Sequence, residues 1–254
     1  MMLAALGPFG DAINFIFEER QSQAGTVRIG GPHEILQLTW THLELSIAAT
    51  AIATLIAMPI GVWLGHIGRY QFLATSTSNI GRAVPALGLI VFFIAFLGVG
   101  FANVCLALVL LAIPPIITNT YVGMRSVDRD TVDAAKGNGL TGFQVARDVE
   151  LPMALPTVMG GIRIALVSVI ATATIAPLAN VDTLGRPIIS PNVYGTAGQL
   201  AACIVVALLT FVADGLCVLL QRAVTPRGIK LQAGGSRAKR RAPSMSPKRS
   251  IQST

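Results

Sequence analysis

The sequence predicts an all-α membrane protein with about five transmembrane helices. Hydrophobic residues make up 53% of the 254-residue chain and charged residues only 12%. The mean hydropathy of +0.66 is high, and soluble domains carry about twice this share of charged residues. The apolar residues also occur in runs that approach the roughly 20 residues a helix needs to cross the hydrocarbon layer. These runs predict spans at residues 43–65, 83–99, 101–121, 154–178 and 199–220, the second and third joined by a tight hairpin at Gly98-Val99-Gly100.

Basic residues orient these spans across the membrane. If residues 125–152 and the C-terminus face the cytoplasm, sixteen of the 19 Lys and Arg residues lie on that side. Only Arg20, Arg28 and Arg186 remain outside. Because cytoplasmic loops carry an excess of bases, we expect the N-terminus outside and the C-terminus in the cytoplasm. Topology therefore accounts for the net charge of +7, which does not indicate a nucleic-acid partner.

Composition divides the chain into three parts. Residues 1–40 are predicted to be an extracytoplasmic N-terminal segment, residues 41–222 the transmembrane domain, and residues 223–254 a basic disordered cytoplasmic tail rich in Ser, Pro and Gly. Residues 1–17 have no basic stretch ahead of their apolar residues, so we expect an outer interfacial segment rather than a signal peptide, with a sixth span as the alternative. The three cysteines fall within predicted spans as small buried residues without paired spacing, and no metal site is predicted.

Residues 125–152, here called the charged loop, form a charged island between the third and fourth predicted spans. They are predicted to begin with a short helix. Asp128 or Asp130 can cap its N-terminus and place acids at the positive end of the helix dipole. Gly137 and Gly139 can end it, because glycine tolerates the left-handed conformation found at helix C-termini.

A second short helix is predicted to follow within the charged loop. Thr141 and Gln144 have the spacing of a capping box, in which each side chain accepts a backbone N–H of the other residue. Pro152 is expected to limit this helix. The sequence therefore predicts two helices that meet at a glycine corner and present a charged surface.

The charged loop resembles the coupling-loop signature of bacterial ABC importer permeases. That signature is Glu-Ala-Ala, three residues, Gly, nine residues and Ile-x-Leu-Pro, and the chain has Asp133 and Val149 in place of the Glu and the Ile. The resemblance implies an ATPase-coupling site made of Asp133, Ala134, Ala135, Gly139, Val149, Leu151 and Pro152. The alternative is an ordinary amphipathic loop on the bilayer surface.

Further strings extend the resemblance over about residues 38–230. They are similar to the membrane subunits of osmoprotectant uptake systems, which transport glycine betaine, choline, carnitine or proline betaine. The strings are Met58-Pro59-Ile60-Gly61, Val84-Pro85-Ala86-Leu87, Pro114-Pro115-Ile116, Asn119-Thr120-Tyr121 and Gly161-Ile162-Arg163. The chain departs from the family at residues 178–185, where a glycine-rich stretch is expected and only Leu184-Gly185 is kept.

This resemblance implies the type I ABC importer permease (MetI-like) fold with a cytoplasmic coupling helix, in the bacterial plasma (inner) membrane. The chain would be a non-catalytic subunit that binds no cofactor. It lacks the Gly-x-x-x-x-Gly-Lys-Ser/Thr pattern of a phosphate-binding loop, so ATP and Mg²⁺ are expected on separate cytoplasmic ABC ATPase subunits. The other expected partners are a second permease copy or a related permease, an extracytoplasmic substrate-binding protein, and the lipid membrane.

Polar and helix-breaking residues within or next to the spans predict the substrate pathway, because such residues are costly in lipid unless they face protein or water. A kink at Pro114-Pro115 would expose backbone carbonyls to a cavity. A packing kink with internally satisfied hydroxyls is the alternative. The candidate pathway residues are Pro114, Pro115, Thr118, Asn119, Asn180, Asp182 and Tyr194.

Arg163 and Asp214 are the ionised residues well inside the fourth and fifth predicted spans. At 1.5 Å per residue, both lie roughly 12–16 Å from the inner boundary. An unpaired charge at that depth would be expensive, so we expect the two side chains to pair.

Two other functions fit the same pattern. One is an ABC permease for another small solute, such as an amino acid. The other is an ATP-independent secondary transporter or channel whose charged loop is merely cytosolic. The second alternative would transport its solute without ATPase subunits.

Overall fold

The computed structural model describes residues 7–25, 27–68 and 85–225. Apart from one short hairpin, the elements there are helical, in agreement with the all-α prediction. In chain order they are α1 (Pro8–Phe17), β1 (Glu19–Gln21), β2 (Arg28–Gly30), α2 (Gly31–Ile67), α3 (Ala86–Leu97), α4 (Phe101–Arg125), α5 (Arg129–Gly137), α6 (Gly142–Ala179), α7 (Gly185–Ile189) and α8 (Pro191–Val224). Nearly all of the predicted basic tail lies outside the described residues.

Four helices of the described ranges are long and apolar enough to cross a membrane, namely α2, α4, α6 and α8. They contain the predicted spans 43–65, 101–121, 154–178 and 199–220. The 12 residues of α3 extend about 18 Å at the helical rise, which is less than the roughly 30 Å of hydrocarbon. Residues 83 and 84 of the predicted second span lie outside the described part, so five spans remain a prediction.

The helix α2 has 37 residues and is much longer than the apolar run that predicted it. It begins at Gly31 because the backbone N–H of Gly30 donates to Oε2 of Glu34 at 2.5 Å, while Pro32 stands in the first turn, where no N–H is needed. The predicted boundary between residues 40 and 41 therefore falls inside one continuous helix, whose first turns are more polar than a membrane span.

Small residues bring α2 and α4 into close contact. A Cβ atom on Gly61 would lie 2.6 Å from Cβ of Thr120, and one on Gly65 would lie 2.5 Å from Cβ of Met124. Helices approach this closely in membranes when glycine lines the interface, because packing rather than the hydrophobic effect holds them together. Glycines four residues apart therefore form a helix–helix contact within the chain.

Another glycine brings α6 against α4. A Cβ atom on Gly161 would lie 2.6 Å from Cβ of Asn119 and 3.0 Å from the carbonyl oxygen of Pro115. The helices α2, α4 and α6 thus form the packed centre of the described residues, and most of the main apolar cluster lies among them.

The N-terminal residues form a small unit on the first turns of α8. The strands β1 and β2 pair antiparallel, with Arg20 opposite Ile29. Phe15 of α1 is fully buried, and its ring centroid lies 6.3 Å from that of Tyr194 in an edge-to-face contact. With 10 residues, α1 alone is too short to cross a bilayer. Residues 1–6 lie outside the described part, so the sixth span stays an alternative prediction.

Two neighbouring glycines of α6 give a matched test of the packed centre. Gly161→Ala places a methyl group against α4 and should lower the free energy of unfolding by about 1–3 kcal/mol, the usual cost of overpacking. Gly160→Ala, where nothing lies within 4 Å, should be neutral or stabilising by up to about 1 kcal/mol, because alanine favours helix.

The measurement is thermal unfolding of the purified variants in detergent. Equal midpoints for the two variants would contradict the close contact of α4 with α6.

Candidate functional site

The first helix of the charged loop, α5, has a capped N-terminus and one buried side. Oδ1 of Asp128 accepts the backbone N–H of Asp130 at 2.9 Å, which confirms the cap predicted for Asp128. Among the residues of α5, only Val132 is buried. It packs with Val127 and Val145, so the helix is held on one side and exposed on the other.

The corner after α5 is a Schellman motif. The backbone N–H of Gly139 donates to the carbonyl of Lys136 at 2.9 Å, and that of Leu140 donates to the carbonyl of Ala135 at 3.3 Å. The φ of Gly139 is +86°, which a residue with a Cβ atom rarely adopts. The sequence places a glycine here because the corner needs this backbone conformation, as predicted.

The second helix of the loop begins with the predicted capping box. Gln144 Oε1 accepts the backbone N–H of Thr141 at 2.8 Å, and Thr141 Oγ1 accepts the backbone N–H of Gln144 at 3.4 Å. The expectation that Pro152 limits this helix is wrong, because α6 continues from Gly142 to Ala179.

A π-helical turn lets α6 pass through Pro152. Residues Val145–Glu150 form this turn, and the backbone N–H of Leu151 donates to the carbonyl of Ala146, five residues back. Pro152 then stands in the first turn of the following α-helical segment. A proline there costs little, because the wider turn accommodates its missing N–H.

The residues of the coupling signature separate into two environments. Asp133, Ala134 and Gly139 are exposed at the corner. The remaining signature residues, Ala135, Val149, Leu151 and Pro152, are half-buried. The loop therefore presents an exposed corner whose other side is anchored to the protein.

An apolar groove of about 540 Å³ lies beside this corner. It lies between the end of α2 and the start of α6 and is lined by Trp63, His66 and Phe143 among others. The Phe143 side chain is 74% exposed, although aromatic residues in a polar loop are normally buried. An exposed aromatic beside an apolar groove is typical of a surface that a protein partner or lipid covers.

His66 and Glu150 connect the end of α2 to the charged loop, a contact that the sequence analysis did not anticipate. Nδ1 of His66 lies 2.6 Å from Oε2 of Glu150. Glu150 occupies the variable position of the Ile-x-Leu-Pro part of the signature, and it is only 5% exposed. The sequence signal was an acid flanked by Val149 and Leu151 at the end of the loop.

Arg163 and Asp214 lie together, as the sequence analysis expected, and join α6 to α8. Their side chains form a two-pronged contact, in which Arg163 Nε donates to Asp214 Oδ1 and Arg163 Nη2 donates to Oδ2 at 2.6 Å. A second polar contact lies nearby, where Gln221 Nε2 donates to the carbonyl of Pro156 at 2.8 Å. Only 6% of the apolar window of α8 is buried, so these contacts are important for holding it on α6.

The candidate pathway residues of α4 lie within a continuous helix. Pro114 is buried, while Pro115, Thr118 and Asn119 are half-buried. Asn119 Nδ2 donates to the carbonyl of Pro115 at 2.8 Å, and both residues face Gly161 of α6. One carbonyl of the proline pair therefore has a side-chain partner within the same helix.

The candidate pathway residues beyond α6 have separate partners. Asn180 ends α6 in the left-handed conformation, with φ of 60°. Asp182 accepts from Arg186 at 2.6 Å on the surface. The Tyr194 hydroxyl donates to Oε1 of Glu34 at 2.7 Å, so Tyr194 belongs to the N-terminal unit.

Gly185, which is kept in the stretch 178–185 where the chain departs from the family, has a packing role. A Cβ atom on Gly185 would collide with the backbone carbonyl of Thr174, and Thr183 Oγ1 donates to the carbonyl of Ala173 at 2.8 Å. The segment after α6 thus folds back tightly on its last turns.

Among the described residues, no three His, Cys, Asp or Glu side chains are grouped as metal ligands. The cysteines are free, and Cys105 and Cys217 are buried as predicted, whereas Cys203 is exposed.

Comparison with solved structures identifies the fold. The inward-facing MetNI methionine ABC transporter in its CY5 native crystal form has a chain that matches with a TM-score of 0.69 at 19% identity, over 77% of this chain and 98% of that chain. An amino acid ABC transporter with histidines matches with a TM-score of 0.63 at 18% identity, over 76% and 94%. The fold is therefore that of the MetI-like membrane subunits of ABC transporters.

Sequence comparison then gives the family. The profile of the binding-protein-dependent transport system inner membrane component matches residues 53–226, and the chain belongs to this family. It is 33% identical over 198 residues to the glycine betaine/carnitine/choline transport system permease protein OpuCB of Bacillus subtilis. This alignment covers 78% of this chain and 91% of that protein. The chain is 30% identical over 200 residues to the osmoprotectant import permease protein OsmY of Salmonella typhimurium, over 77% and 84%.

The Arg163–Asp214 contact gives a second prediction. Arg163→Ala and Asp214→Ala should each lower the midpoint of thermal unfolding in detergent, because each leaves one charge without its partner in an apolar setting. The double variant should be no less stable than the worse single variant. The exposed pair Asp182 and Arg186 is the matched control, whose single and double variants should change the midpoint little.

Additive losses for Arg163→Ala and Asp214→Ala would contradict a direct pair.

Proposed function

We propose that this chain is the membrane-spanning permease subunit of an ATP-driven ABC importer for osmoprotectants such as glycine betaine, choline, carnitine or proline betaine. The observation that carries the substrate class is the 33% identity, over most of both chains, to a glycine betaine/carnitine/choline permease. The exposed corner at Asp133, Ala134 and Gly139 supports the ATP-driven mechanism, since it offers a soluble partner a surface held on the packed helices.

In this proposal other polypeptides bind and hydrolyse ATP. Cytoplasmic ABC ATPase subunits hold ATP and Mg²⁺, and this chain is non-catalytic. A second permease copy or a related permease completes the pathway, and an extracytoplasmic binding protein delivers the solute. The chain has 6% aromatic residues, which supports placing on that binding protein the aromatic cage that quaternary ammonium groups favour.

We infer an orientation in the bacterial plasma (inner) membrane with the N-terminus outside and the C-terminus in the cytoplasm. The support is the excess of basic residues on one side of the predicted spans. In this orientation the charged loop acts as the cytoplasmic coupling helix, and the N-terminal unit with Tyr194 lies outside.

The continuity of α6 suggests how the loop drives the pathway. ATP-dependent closure of the ATPase subunits would move the corner at Gly139, and α6 begins three residues later. Its 38 residues extend roughly 55 Å. At the far end, the carbonyl of Ala179 accepts the backbone N–H of Gly100, between α3 and α4, at 2.8 Å. A displacement of the loop would therefore reach the opposite side of the membrane through one helix.

We place the solute pathway beside the packed centre, where a second permease would complete it. Pro114, Pro115, Thr118 and Asn119 would line it within α4, and Asn180 with Asp182 would lie at its outer mouth. Nucleotide can shift the pathway between inward-facing and outward-facing states only by binding the two states with different affinity.

The test is uptake of labelled betaine, choline and carnitine by an uptake-deficient bacterium that expresses the chain with candidate ATPase subunits and binding protein. We expect uptake of at least one of these solutes, and none when the ATPase subunits are left out. Uptake without any ATPase would instead favour a secondary transporter or channel. Uptake of an amino acid but of no osmoprotectant would favour the other substrate class.

Two substitutions of Gly139 test docking at the corner, one disruptive and one tolerated. Gly139→Trp combines a large side chain with a strained backbone at the corner and should abolish uptake while the protein remains in the membrane. Gly139→Asn should retain most uptake, because asparagine tolerates the left-handed conformation. Full uptake by Gly139→Trp would count against docking at this corner.

A further inference from the structure

The most buried acid of the charged loop is joined to a different helix. Glu150 is 5% exposed, and its Oε2 lies 2.6 Å from Nδ1 of His66, near the end of α2. A carboxylate can only accept a hydrogen bond, so Nδ1 of His66 carries the hydrogen when Glu150 is ionised. A hydrogen bond to a charged, buried group is short and directional.

His66 also lies near the beginning of the second loop helix. A Cβ atom on Gly142 would lie 3.3 Å from Nε2 of His66. Gly142 is the first residue of α6, and Glu150 is the last residue of its π-helical turn. One imidazole therefore binds one end of the short helical segment that follows the Gly139 corner and lies close to its other end.

Apolar contacts also join α2 to this segment. Met58 and Val62 of α2 pack with Ala146 and Leu151. Such contacts are not directional and allow the two helices to slide. The hydrogen bond between His66 and Glu150 fixes their relative position, because a shift of about 1 Å breaks it.

We propose that His66 and Glu150 are a positioning pair that passes movement of the charged loop to α2, so that α2 and α6 move together when nucleotide binds. The inference rests on the proposed function, and it adds a residue outside the coupling signature to the coupling machinery. Without the pair, movement of the loop would still reach α6 directly, but α2 would follow through α4 and through less directional contacts.

The main test uses the complete complex in liposomes, with ATPase subunits and binding protein. ATP hydrolysis and betaine uptake are measured together. His66→Ala should lower the uptake per ATP hydrolysed by at least about fivefold, the lower end of common coupling effects, while hydrolysis continues. His66→Asn should restore most of the ratio, because the asparagine amide N–H can occupy the place of Nδ1.

Two further variants sharpen the result. His66→Gln, whose amide reaches the position of Nε2 rather than that of Nδ1, should restore less than His66→Asn. His33→Ala is the matched control, since His33 is an exposed histidine near the other end of the same helix, and it should keep the wild-type ratio. A wild-type ratio in His66→Ala, or equal ratios in His66→Ala and His66→Asn, would overturn the proposal.

A partner-free measurement separates this inference from the proposed function. Thermal unfolding of the purified chain in detergent is compared for His66→Ala, Glu150→Ala and the double variant. We expect the double variant to be more stable than the sum of the two single losses predicts. Additive losses would overturn the pair even if osmoprotectant uptake were confirmed, because this measurement needs neither substrate nor ATPase.

Discussion

The close packing of α2, α4 and α6 is the constraint on which the rest of the structure depends. Lipid offers no partner to a backbone N–H or carbonyl, so each span must be a helix, and helices in lipid are held together mainly by packing. Gly61, Gly65 and Gly161 allow this packing by letting neighbouring side chains approach the backbone. A packed centre of this kind gives a loop at its edge a firm support on which mechanical work can be done.

Features encoded by short stretches of sequence could be predicted. The cap at Asp128, the left-handed corner at Gly139 and the box of Thr141 with Gln144 depend on residues within four positions of each other. The apolar runs likewise marked the four long helices. The pairing of Arg163 with Asp214 could be predicted from the high free energy of an unpaired charge in an apolar span. Two charges at a similar depth have few other partners there.

Features set by contacts between distant residues could not be predicted. The π-helical turn that carries α6 past Pro152 breaks the local rule for proline. The contact of His66 with Glu150 joins residues 84 positions apart, and neither residue has a spacing that suggests the other. The length of α2 was underestimated because hydropathy marks the lipid-exposed part of a helix and not its polar extension. The contact of Tyr194 with Glu34 joins residues 160 positions apart and could not be predicted either.

Photo-crosslinking from the charged loop tests the central claim most directly. A photoreactive amino acid replaces exposed Ala134, and in a separate variant it replaces exposed Asp11 of α1. In cells that carry the whole importer, the residue at position 134 should crosslink to an ATPase polypeptide, and the residue at position 11 should not. Crosslinks from position 134 only to extracytoplasmic proteins, or crosslinks to the ATPase from position 11, would contradict the account.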